Sequence, residues 1–465
     1  MKFYLRMEAV NIQQFIADCE DLSTVRGGGL LLLDSPHRLK KKFPRLEPVS
    51  VGGSSGLFEF DASDVGEAEQ MRDDAEAFFN SDPELCHATF VVDTTVANGD
   101  FIADRETVLA KNRWRQMQSP TVAMPKTAAE LPCRTDKVRP GVDWENDEPM
   151  SASVKIRRTY GRKQKQVFYN QQTDLECPSF VNDFDQLTSD ALRGNLHHKM
   201  AVIHLDGNGF GGLQNELCDS PEKLREFDQA LRNLRRGMLR QLLQQSFGSA
   251  EWTTAAGELR IETLLWGGDE IVWVVPAWLG LAVVNFFFNH STGWRFPEEG
   301  TGSRPLTHAG AVVFCHHNAP VHRITELAKN LTEHAKCLID HAPKNVVLYQ
   351  VLESFDDIGS NLAEFTSDRL PDSCLAASLL LEGGCIGSII EDCKALKQDV
   401  PRNKVHDIAH QLMHRQTAQG DNLAKETLQH IPQAIQKQFH ALAGRLGGER
   451  MAWVHLAELW DYIVE

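Results

Sequence analysis

Closely spaced cysteine pairs are missing from the sequence. Its ten cysteines are scattered along the chain, and no two of them have the CxxC spacing. This pattern argues against a zinc ribbon and against a disulfide framework. The first residues also lack the charged and apolar pattern of a secretory leader. We therefore expect a protein of the reducing cytoplasm.

Positive charge is scarce as well. Across 465 residues the formal net charge is −16, which argues against a surface coated with nucleic acid but allows a local basic groove. The exception is VKIRRTYGRKQKQVFY, residues 154–169, a basic run without a single acid. It predicts either a solvated linker or exposed hairpin, or a phosphate-binding surface, and the sequence favours neither.

Long apolar runs are rare, and only residues 271–288 imitate a membrane span. This run is uncharged, and about 18 apolar residues are enough to cross a bilayer. However, Pro276 follows the strand-like IVWVV and suits the first turn of a helix, AWLGLAVVNFFF. We therefore predict a strand, a turn and a buried helix, with no membrane as partner.

What the sequence does contain is a glycine hairpin that carries two acids. LLWGGDEIVWVVP, residues 264–276, predicts two strands joined at Gly267 and Gly268, because glycine accepts a positive φ. Asp269 and Glu270 begin the second strand, where adjacent carboxylates repel each other unless solvent or a cation accompanies them. They are therefore either solvated turn residues or metal ligands.

Another acid ends an earlier strand. AVIHL predicts a strand that stops at Asp206, before the glycine-rich loop GNGFGGL and a helix that opens with Ser220 and Pro221. After the hairpin come the apolar helix, the strand LTHAGAVVF and the helix PVHRITELAKNLTEHAKCLI. This βαββαβ order is typical of ferredoxin-like palms, in which a first-strand acid and a hairpin acid meet across adjacent strands.

The beginning of the chain repeats this order in weaker form. FYLRMEAV predicts a strand, NIQQFIADCEDL a helix, and PVSVGGSSGLFEF a hairpin in which Gly52, Gly53, Ser54 and Ser55 match the GGDE residues. HATFVV likewise resembles HAGAVV. We interpret this as a duplicated unit. Because serines replace the acids and Glu8 is the only acid left nearby, we expect no catalytic metal in the first copy.

These patterns predict an α+β protein of four regions, and 42% hydrophobic and 24% charged residues are ordinary for such a chain. Residues 1–121 form a degenerate ferredoxin-like palm, and residues 122–196 a linker or insert rich in charge and proline. Residues 197–350 form the second palm, with GGDE. Residues 351–465 form an α-helical domain.

The acids suit nucleotidyl transfer, in which a hydroxyl attacks an α-phosphate and pyrophosphate leaves. Two divalent ions about 4 Å apart can activate the hydroxyl and neutralise the leaving group. Hard cations such as Mg²⁺ or Mn²⁺ prefer carboxylate and carbonyl oxygens. Asp206, the Gly207 carbonyl, Asp269 and Glu270 supply such ligands.

The neighbouring residues suit a bound triphosphate. The loop glycines let backbone amides approach phosphate, and the hairpin glycines let a nucleotide lie against the hairpin. The loop glycines are Gly207, Gly209, Gly211 and Gly212, and those of the hairpin are Gly267 and Gly268. Lys336 could reach the β- and γ-phosphates. A lone GGDE is a common turn, and a lone lysine is usually a surface residue. The prediction of nucleotidyl transfer therefore rests on all these motifs occurring together in this order.

Several motifs together resemble a known family. DGNGFG, GGDEIVWVVP, HAGAVVFCHHNAP and EHAK at residues 333–336 resemble the second palm of the large polymerase-like subunit of type III CRISPR effector complexes. RMEAVNIQQFI, with RGGGLLLL at residues 26–33, resembles its first palm, and PRNKVHDIAHQL its carboxy-terminal helical domain. The resemblance covers most of the chain.

The resemblance implies a cyclase that converts ATP into a cyclic oligonucleotide signal in antiviral defence. Asp206, Asp269 and Glu270 would be its catalytic residues, and the DGNGFG motif adds Asn208 and Phe210 to the nucleotide-binding residues. RNA or a protein is the candidate activator, and a homo-oligomer remains open. The family often has an HD nuclease before its first palm, whereas here the first palm begins at residue 3, so we expect a standalone form without it.

Two further departures concern metals. The only HD dipeptide, at His406, lies in a late helix with His410 and His414, and we interpret these as surface or core histidines. The family's zinc-binding cysteines between the palms are reduced to Cys133 and Cys177, so we predict no structural zinc there.

Two alternatives stay open. The hairpin ends in Glu270, as in diguanylate cyclases, where the family usually has GGDD; the first alternative is therefore a cyclase that uses GTP as a homodimer. The second is a non-catalytic scaffold of a CRISPR effector complex that binds RNA or protein, with the acids as residual metal ligands. Consumption of ATP or GTP separates the cyclases, and RNA bound to the purified chain would indicate a scaffold.

Overall fold

Strands from two parts of the chain build the main sheets of the protein. The computed structural model describes residues 1–464 apart from 17, 119–130, 301, 353–378 and 414–416. In chain order its strands are β1 (Lys2–Val10), β2 (Glu47–Gly52), β3 (Ser55–Asp61), β4 (Thr89–Val96), β5 (Asp143–Glu145), β6 (Glu148–Met150), β7 (Lys199–Gly207), β8 (Glu262–Gly267), β9 (Glu270–Pro276), β10 (Arg295–Phe296), β11 (Arg304–Pro305), β12 (His308–His316), β13 (Val346–Val351) and β14 (Leu380–Glu382).

Helices cover these sheets and form the end of the chain. The described α-helices are α1 (Ile12–Ile16), α2 (Leu22–Lys42), α3 (Val65–Ser81), α4 (Phe101–Gln118), α5 (Ala152–Thr173), α6 (Phe184–Thr188), α7 (Phe210–Leu217), α8 (Pro221–Ser246), α9 (Gly280–Ser291), α10 (Val321–Leu338), α11 (Ile386–Asp399), α12 (Arg402–Met413), α13 (Thr417–Gln429), α14 (Gln433–Arg445) and α15 (Glu449–Leu459). The protein is thus a mixed α+β fold with several sheets and a helical carboxy-terminal region.

The two large sheets share a strand order. The first is β2-β3-β1-β4, and the second contains β8-β9-β7-β12, extended by β13 and β14. In each, the first strand in sequence lies between the second strand of a hairpin and a later strand, and both pairings are antiparallel. The short pairs β5-β6 and β10-β11 stand apart.

The elements around the acidic hairpin form as the sequence predicts. The side chain of Ser220 accepts a hydrogen bond from the backbone of Lys223, and Pro221 opens α8, so this cap is confirmed. The apolar run 271–288 is divided between β9, a short 3-10 helix and α9, and its strand and helix are both largely buried. No helix among the described residues is long and apolar enough to cross a membrane.

The basic run 154–169 is neither a linker nor a hairpin, so the first of its two interpretations is wrong, while the phosphate-binding surface stays a prediction. It lies in α5, which packs closely along α2: a Cβ on Gly27 would overlap the backbone of Arg157, and one on Gly161 that of Ser23. Arg157 is fully buried and pairs with Asp18 at 2.8 Å. The acids that pair with its basic side chains come from other segments of the chain, so the local sequence pattern cannot predict these ion pairs.

The carboxy-terminal region is helical, as expected, with one exception. Residues 380–382 form β14, which pairs with β13 and so belongs to the second sheet. Within α12 the apolar residues Val405, Ile408 and Leu412 are buried, whereas His406 and His410 face solvent. His414, which we grouped with them, lies outside the described residues.

Candidate functional site

The site is built where the turns of two glycine hairpins meet. The β8–β9 turn lies directly against the β2–β3 turn: a Cβ on Gly267 would lie 2.5 Å from the Cα of Gly53, and one on Gly52 would lie 3.3 Å from the Cα of Gly268. Gly53 and Gly268 also have φ values of 58° and 50°, where side chains are disfavoured. Glycine at these positions lets the two backbones touch.

Asp206 and Asp269 lie at the same end of neighbouring strands. Asp206 is the next-to-last residue of β7, and Asp269 is in the turn that leads into β9, which pairs with β7 through Leu205 and Ile271. Burial and, to a smaller extent, the charge of Asp206 together raise the pKa of Asp269 to about 6. The fold therefore holds two like charges close together in a poorly solvated place.

A buried arginine faces this hairpin. Arg235 of α8 donates a hydrogen bond to the carbonyl of Gly268, and its guanidinium carbon lies 4.3 Å from the centre of the Trp266 ring. Burial lowers its pKa to about 10, and the charges of Asp269 and Asp228 act in the opposite direction. Its Nε and Nη2 have no hydrogen-bond partner among the described residues.

Glu270 is held by a histidine of β7. The Nε2 atom of His204 lies 2.8 Å from the Glu270 carboxylate, and its Nδ1 lies 3.0 Å from the hydroxyl of Thr332 in α10. Burial acts to raise the pKa of Glu270, but the hydrogen bond with His204 and nearby positive charges outweigh it and lower the pKa. Glu270 is therefore a fixed, ionised carboxylate at neutral pH.

Lys336 contacts an acid of the site directly. Its Nζ atom lies 2.6 Å from the carboxylate of Asp206 and 3.1 Å from that of Glu333, one turn earlier in α10. Burial acts to lower the pKa of Lys336, but the bond to Asp206 outweighs it and raises the pKa. The lysine thus lies within reach of Asp206, and its predicted contact with phosphates stays a prediction.

The glycine-rich loop has a structural half and an open half. The side-chain amide of Asn208 donates to the carbonyl of Lys344 at 2.7 Å, and Phe210 is buried beneath Gly207, where a Cβ would come within 2.6 Å of its ring. Gly209 caps α7 with a φ of 68°. By contrast, a Cβ on Gly211 or Gly212 would meet no atom within 4 Å. This open face leaves room for a ligand.

A cavity lies on each side of the glycine contact. One, of about 650 Å³, is lined by Asp269 and Glu270 together with Glu8 and Ser55 of the first sheet, but among the described residues not by Asp206 or Lys336. The other, of about 710 Å³, is lined by α2, α5 and α8 and includes Arg235. Both touch the four glycines, so each is bounded by both halves of the chain.

The corresponding place in the first sheet is arranged differently. Glu8 of β1 lies opposite Ser55 of β3 and pairs with Arg6 at 3.2 Å and with Arg113 at 3.3 Å. The acid of the first sheet thus pairs with two arginines, whereas Asp206 pairs with Lys336 and its charge also raises the pKa of Asp269.

Sequence analysis missed two residues of the site, Arg235 and His204. Arg235 lies in a helix and His204 in a strand, and the apolar pattern of each element does not by itself show that the residue belongs to a site. A signal did exist, since AVIHL has a histidine in an apolar strand and α8 buries an arginine at an apolar helical position. Neither pattern states which acid or carbonyl the side chain meets.

Comparison with known proteins gives a match only at the level of structure. No protein-family model and no curated protein matches the chain. The Csm1-Csm4 cassette in complex with one ATP has a TM-score of 0.58 and 13% identity, covering 99% of this chain and 70% of that one. Csm1 in T. onnurineus gives 0.57 and 14%, and the cassette in complex with cA4 gives 0.56 and 13%; each covers 99% of this chain and 69% of the other. The chain therefore has the fold of Csm1, a subunit of type III CRISPR systems, as the motifs led us to expect.

Proposed function

We propose that the chain is a nucleotidyl cyclase that joins nucleoside triphosphates, preferably ATP, into a cyclic oligonucleotide signal of antiviral defence. The observation that carries the proposal is the pair Asp206 and Asp269, both half-buried, at the contact of two glycine hairpins. Solved complexes of the similar Csm1-Csm4 cassette with ATP, cA4 and cA3 support it. The same complexes make a Csm4-like protein a candidate partner of this chain.

The proposed organisation follows the repeated strand order. Residues 1–121 are a degenerate palm, residues 122–196 an insert, residues 197–350 the catalytic palm and residues 351–465 a helical domain. The order β2-β3-β1-β4, which returns as β8-β9-β7-β12, supports two palms of common origin. The first palm contributes its glycine turn and the wall of a cavity, and its one acid there, Glu8, is paired with arginines.

The acids fit Mg²⁺ or Mn²⁺. Asp206, Asp269, Glu270 and the carbonyl of Gly207 are oxygen ligands, which such cations prefer. The raised pKa of Asp269 reflects buried negative charge next to Asp206, and a divalent cation would compensate that charge. When bound, such ions lower the barrier by activating the attacking hydroxyl and neutralising the pyrophosphate.

The chain's own residues would bind and orient the nucleotide. Gly211 and Gly212 lie on the open face of the loop, where a triphosphate could approach the backbone. Lys336 is close enough to Asp206 to contact phosphates bound there. Because the pKa of Glu270 is lowered, it is a weak base, and this favours a role as ligand over one as general base.

The test is to incubate the purified chain with each of the four nucleoside triphosphates and Mg²⁺ or Mn²⁺, and to identify products by mass spectrometry. We expect a cyclic adenylate from the wild type and at least a hundredfold less from Asp269→Asn, because the transition state loses a charged ligand. Asp219→Asn, an exposed acid paired with Lys223 at 2.8 Å, is the matched control.

Other outcomes identify the alternatives. A cyclic guanylate would indicate the GTP-using cyclase that Glu270 favours. If no product forms from any triphosphate, even with added RNA, and the purified chain carries bound RNA, the scaffold is the better assignment. Undiminished turnover by Asp269→Asn would contradict the catalytic role of the hairpin.

A further inference from the structure

Three potential metal ligands meet at the end of the second sheet that is farthest from Asp206. In the β7–β12 pair, Lys199 lies opposite His316 and Asp206 opposite Ala309. His198 immediately precedes β7 and His317 immediately follows β12, so both lie at the far end of the strands. Seven residues at about 3.3 Å each place this end about 23 Å from Asp206. The cluster is separate from the proposed catalytic site and does not depend on it.

The third ligand comes from α6. An oxygen of Asp185 lies 3.2 Å from Nδ1 of His198 and 3.9 Å from Nε2 of His317, and the ligand atoms of all three residues lie within 4.8 Å of one another. Ligands at about 2.0–2.2 Å from one tetrahedral ion lie about 3.4 Å apart. A contraction of at most about 1.4 Å between any two of these atoms would therefore bring all three onto a common ion.

The nitrogen of His198 lacks a suitable partner. Its Nδ1 atom is buried and makes no hydrogen bond of acceptable geometry with the described residues, although the Asp185 oxygen is near. A buried polar atom without such a bond costs stability, and a metal ion would bind its lone pair.

The backbone holds the three segments in place. His317 donates its N–H to the carbonyl of His198 at 2.9 Å, and His198 donates to the carbonyl of Thr188 at 3.1 Å, at the end of α6. His198 has a φ of 63°, which residues other than glycine adopt rarely and mostly where the surroundings require it. Backbone hydrogen bonds thus connect the ends of α6, β7 and β12 at the cluster.

We propose that Asp185, His198 and His317 bind one divalent transition-metal ion of the zinc class. Two imidazoles and one carboxylate are a ligand set for zinc and its neighbours, whereas the all-oxygen set at Asp206 and Asp269 suits Mg²⁺. Asp183, whose charge reaches His317, adds negative potential that favours a cation. The ion would fasten α6 and the start of β7 to the end of β12.

The test uses the full chain, purified without a histidine tag, stripped with a chelator and kept in excess Mg²⁺ so that oxygen-only sites are filled. Titration with Co²⁺ should give one equivalent with strong visible d–d absorption, and dialysis against Zn²⁺ followed by metal analysis should leave one zinc per chain. His317→Gln and His198→Gln should lose both signals. Circular dichroism of the metal-free proteins checks that they fold.

Two further variants sharpen the result. Asp185→Asn changes a side chain that is 62% exposed, so it can be accommodated if a histidine variant fails to fold, and it should weaken Co²⁺ binding at least tenfold. His440→Gln is the control, because His440 also has a carboxylate at 3.2 Å, that of Glu449, but belongs to no three-ligand group among the described residues. A wild type that retains no zinc, or variants that retain it like the wild type, would overturn the assignment.

Discussion

At the scale of single residues, the pKa of Asp269 is shifted in opposite directions by negative and positive charges of the site. Its burial and the charge of Asp206 raise its pKa to about 6, while Arg235 acts in the opposite direction. At neutral pH the folded protein therefore contains an ionised carboxylate in an unfavourable place. Such tension between stability and activity is common at functional sites.

We expect Asp269→Asn to stabilise the metal-free protein at pH 7.5 by about 3 kcal/mol. A carboxyl whose pKa is raised on folding contributes stability below its unfolded pKa of about 4, and that stability is lost as the pH rises through about 6. The amide avoids this loss, so the gain should shrink as the pH falls from 7.5 towards 4. Urea unfolding with a chelator present measures it.

The control for this variant is Asp219→Asn, which makes the same chemical change at an exposed acid. It should leave the free energy of unfolding unchanged across this pH range. If Asp269→Asn behaves in the same way, Asp269 is not a buried ionised group in the folded protein.

The sequence identifies only part of this site at the residue scale. Asp206, Asp269 and Glu270 belong to short motifs with a fixed order, so local pattern reading can find them. Arg235 contacts Gly268 across 33 positions, and His204 contacts Glu270 across 66. Such contacts depend on how distant elements pack together, and a short stretch of sequence does not contain that information.

At the scale of elements, the same limit explains α5. Its basic residues suggest solvation when read alone, but Lys165 pairs with Glu262 at 2.8 Å and is almost fully buried. By contrast, the helices and strands around the hairpin carry their own caps, periods and turns, and the sequence predicts them well. Elements that satisfy their polar groups locally are predictable, and those that satisfy them across the fold are not.

The glycine contact gives a prediction about elements. Gly267→Ala should reduce product formation at least tenfold and lower the thermal midpoint, because its Cβ would lie 2.5 Å from the backbone of Gly53 and must push the two hairpins apart. Differential scanning calorimetry and the triphosphate assay measure the two effects.

Gly237→Ala serves as the control for the added methyl group. Gly237 lies within α8, where a Cβ would meet no atom within 4 Å, so alanine should be neutral or stabilising by about 0.5–1 kcal/mol. A thermal midpoint and turnover for Gly267→Ala equal to those of Gly237→Ala would refute the steric contact.

At the scale of the whole molecule, the two sheets share one body. The largest hydrophobic core contains residues of both sheets and of the carboxy-terminal helices. A buried ion triad adds to the connection: Glu262 of β8 accepts two hydrogen bonds from Arg26 of α2, at 2.6 and 2.7 Å, and one from Lys165 of α5. We therefore expect both halves to unfold together.

Glu262→Gln tests this coupling. Removing the acid leaves two buried cations without their counter-charge, and such a loss costs about 3–5 kcal/mol. The first sheet, α2 and α3 lack tryptophan, and Trp114 of α4 is 63% exposed. The change in tryptophan fluorescence on unfolding therefore follows mainly the rest of the chain, whereas far-ultraviolet circular dichroism follows all of it. In urea, both midpoints should fall together.

The control is Glu145→Gln, in which the lost partner of Arg158 is a half-exposed acid, and it should cost less than about 1 kcal/mol. A fluorescence midpoint that falls while the circular dichroism develops a second transition would mean that the halves unfold separately.

The glycine contact also limits which residues the first hairpin can carry. This hairpin has serines where the second has acids, but its turn forms part of the wall against which Gly267 and Gly268 rest. Any side chain at Gly52 or Gly53 would be felt by the partner hairpin or would strain the turn itself. The turn of the first hairpin is therefore constrained by its shape even without acids, and it should tolerate substitution no better than the acidic turn.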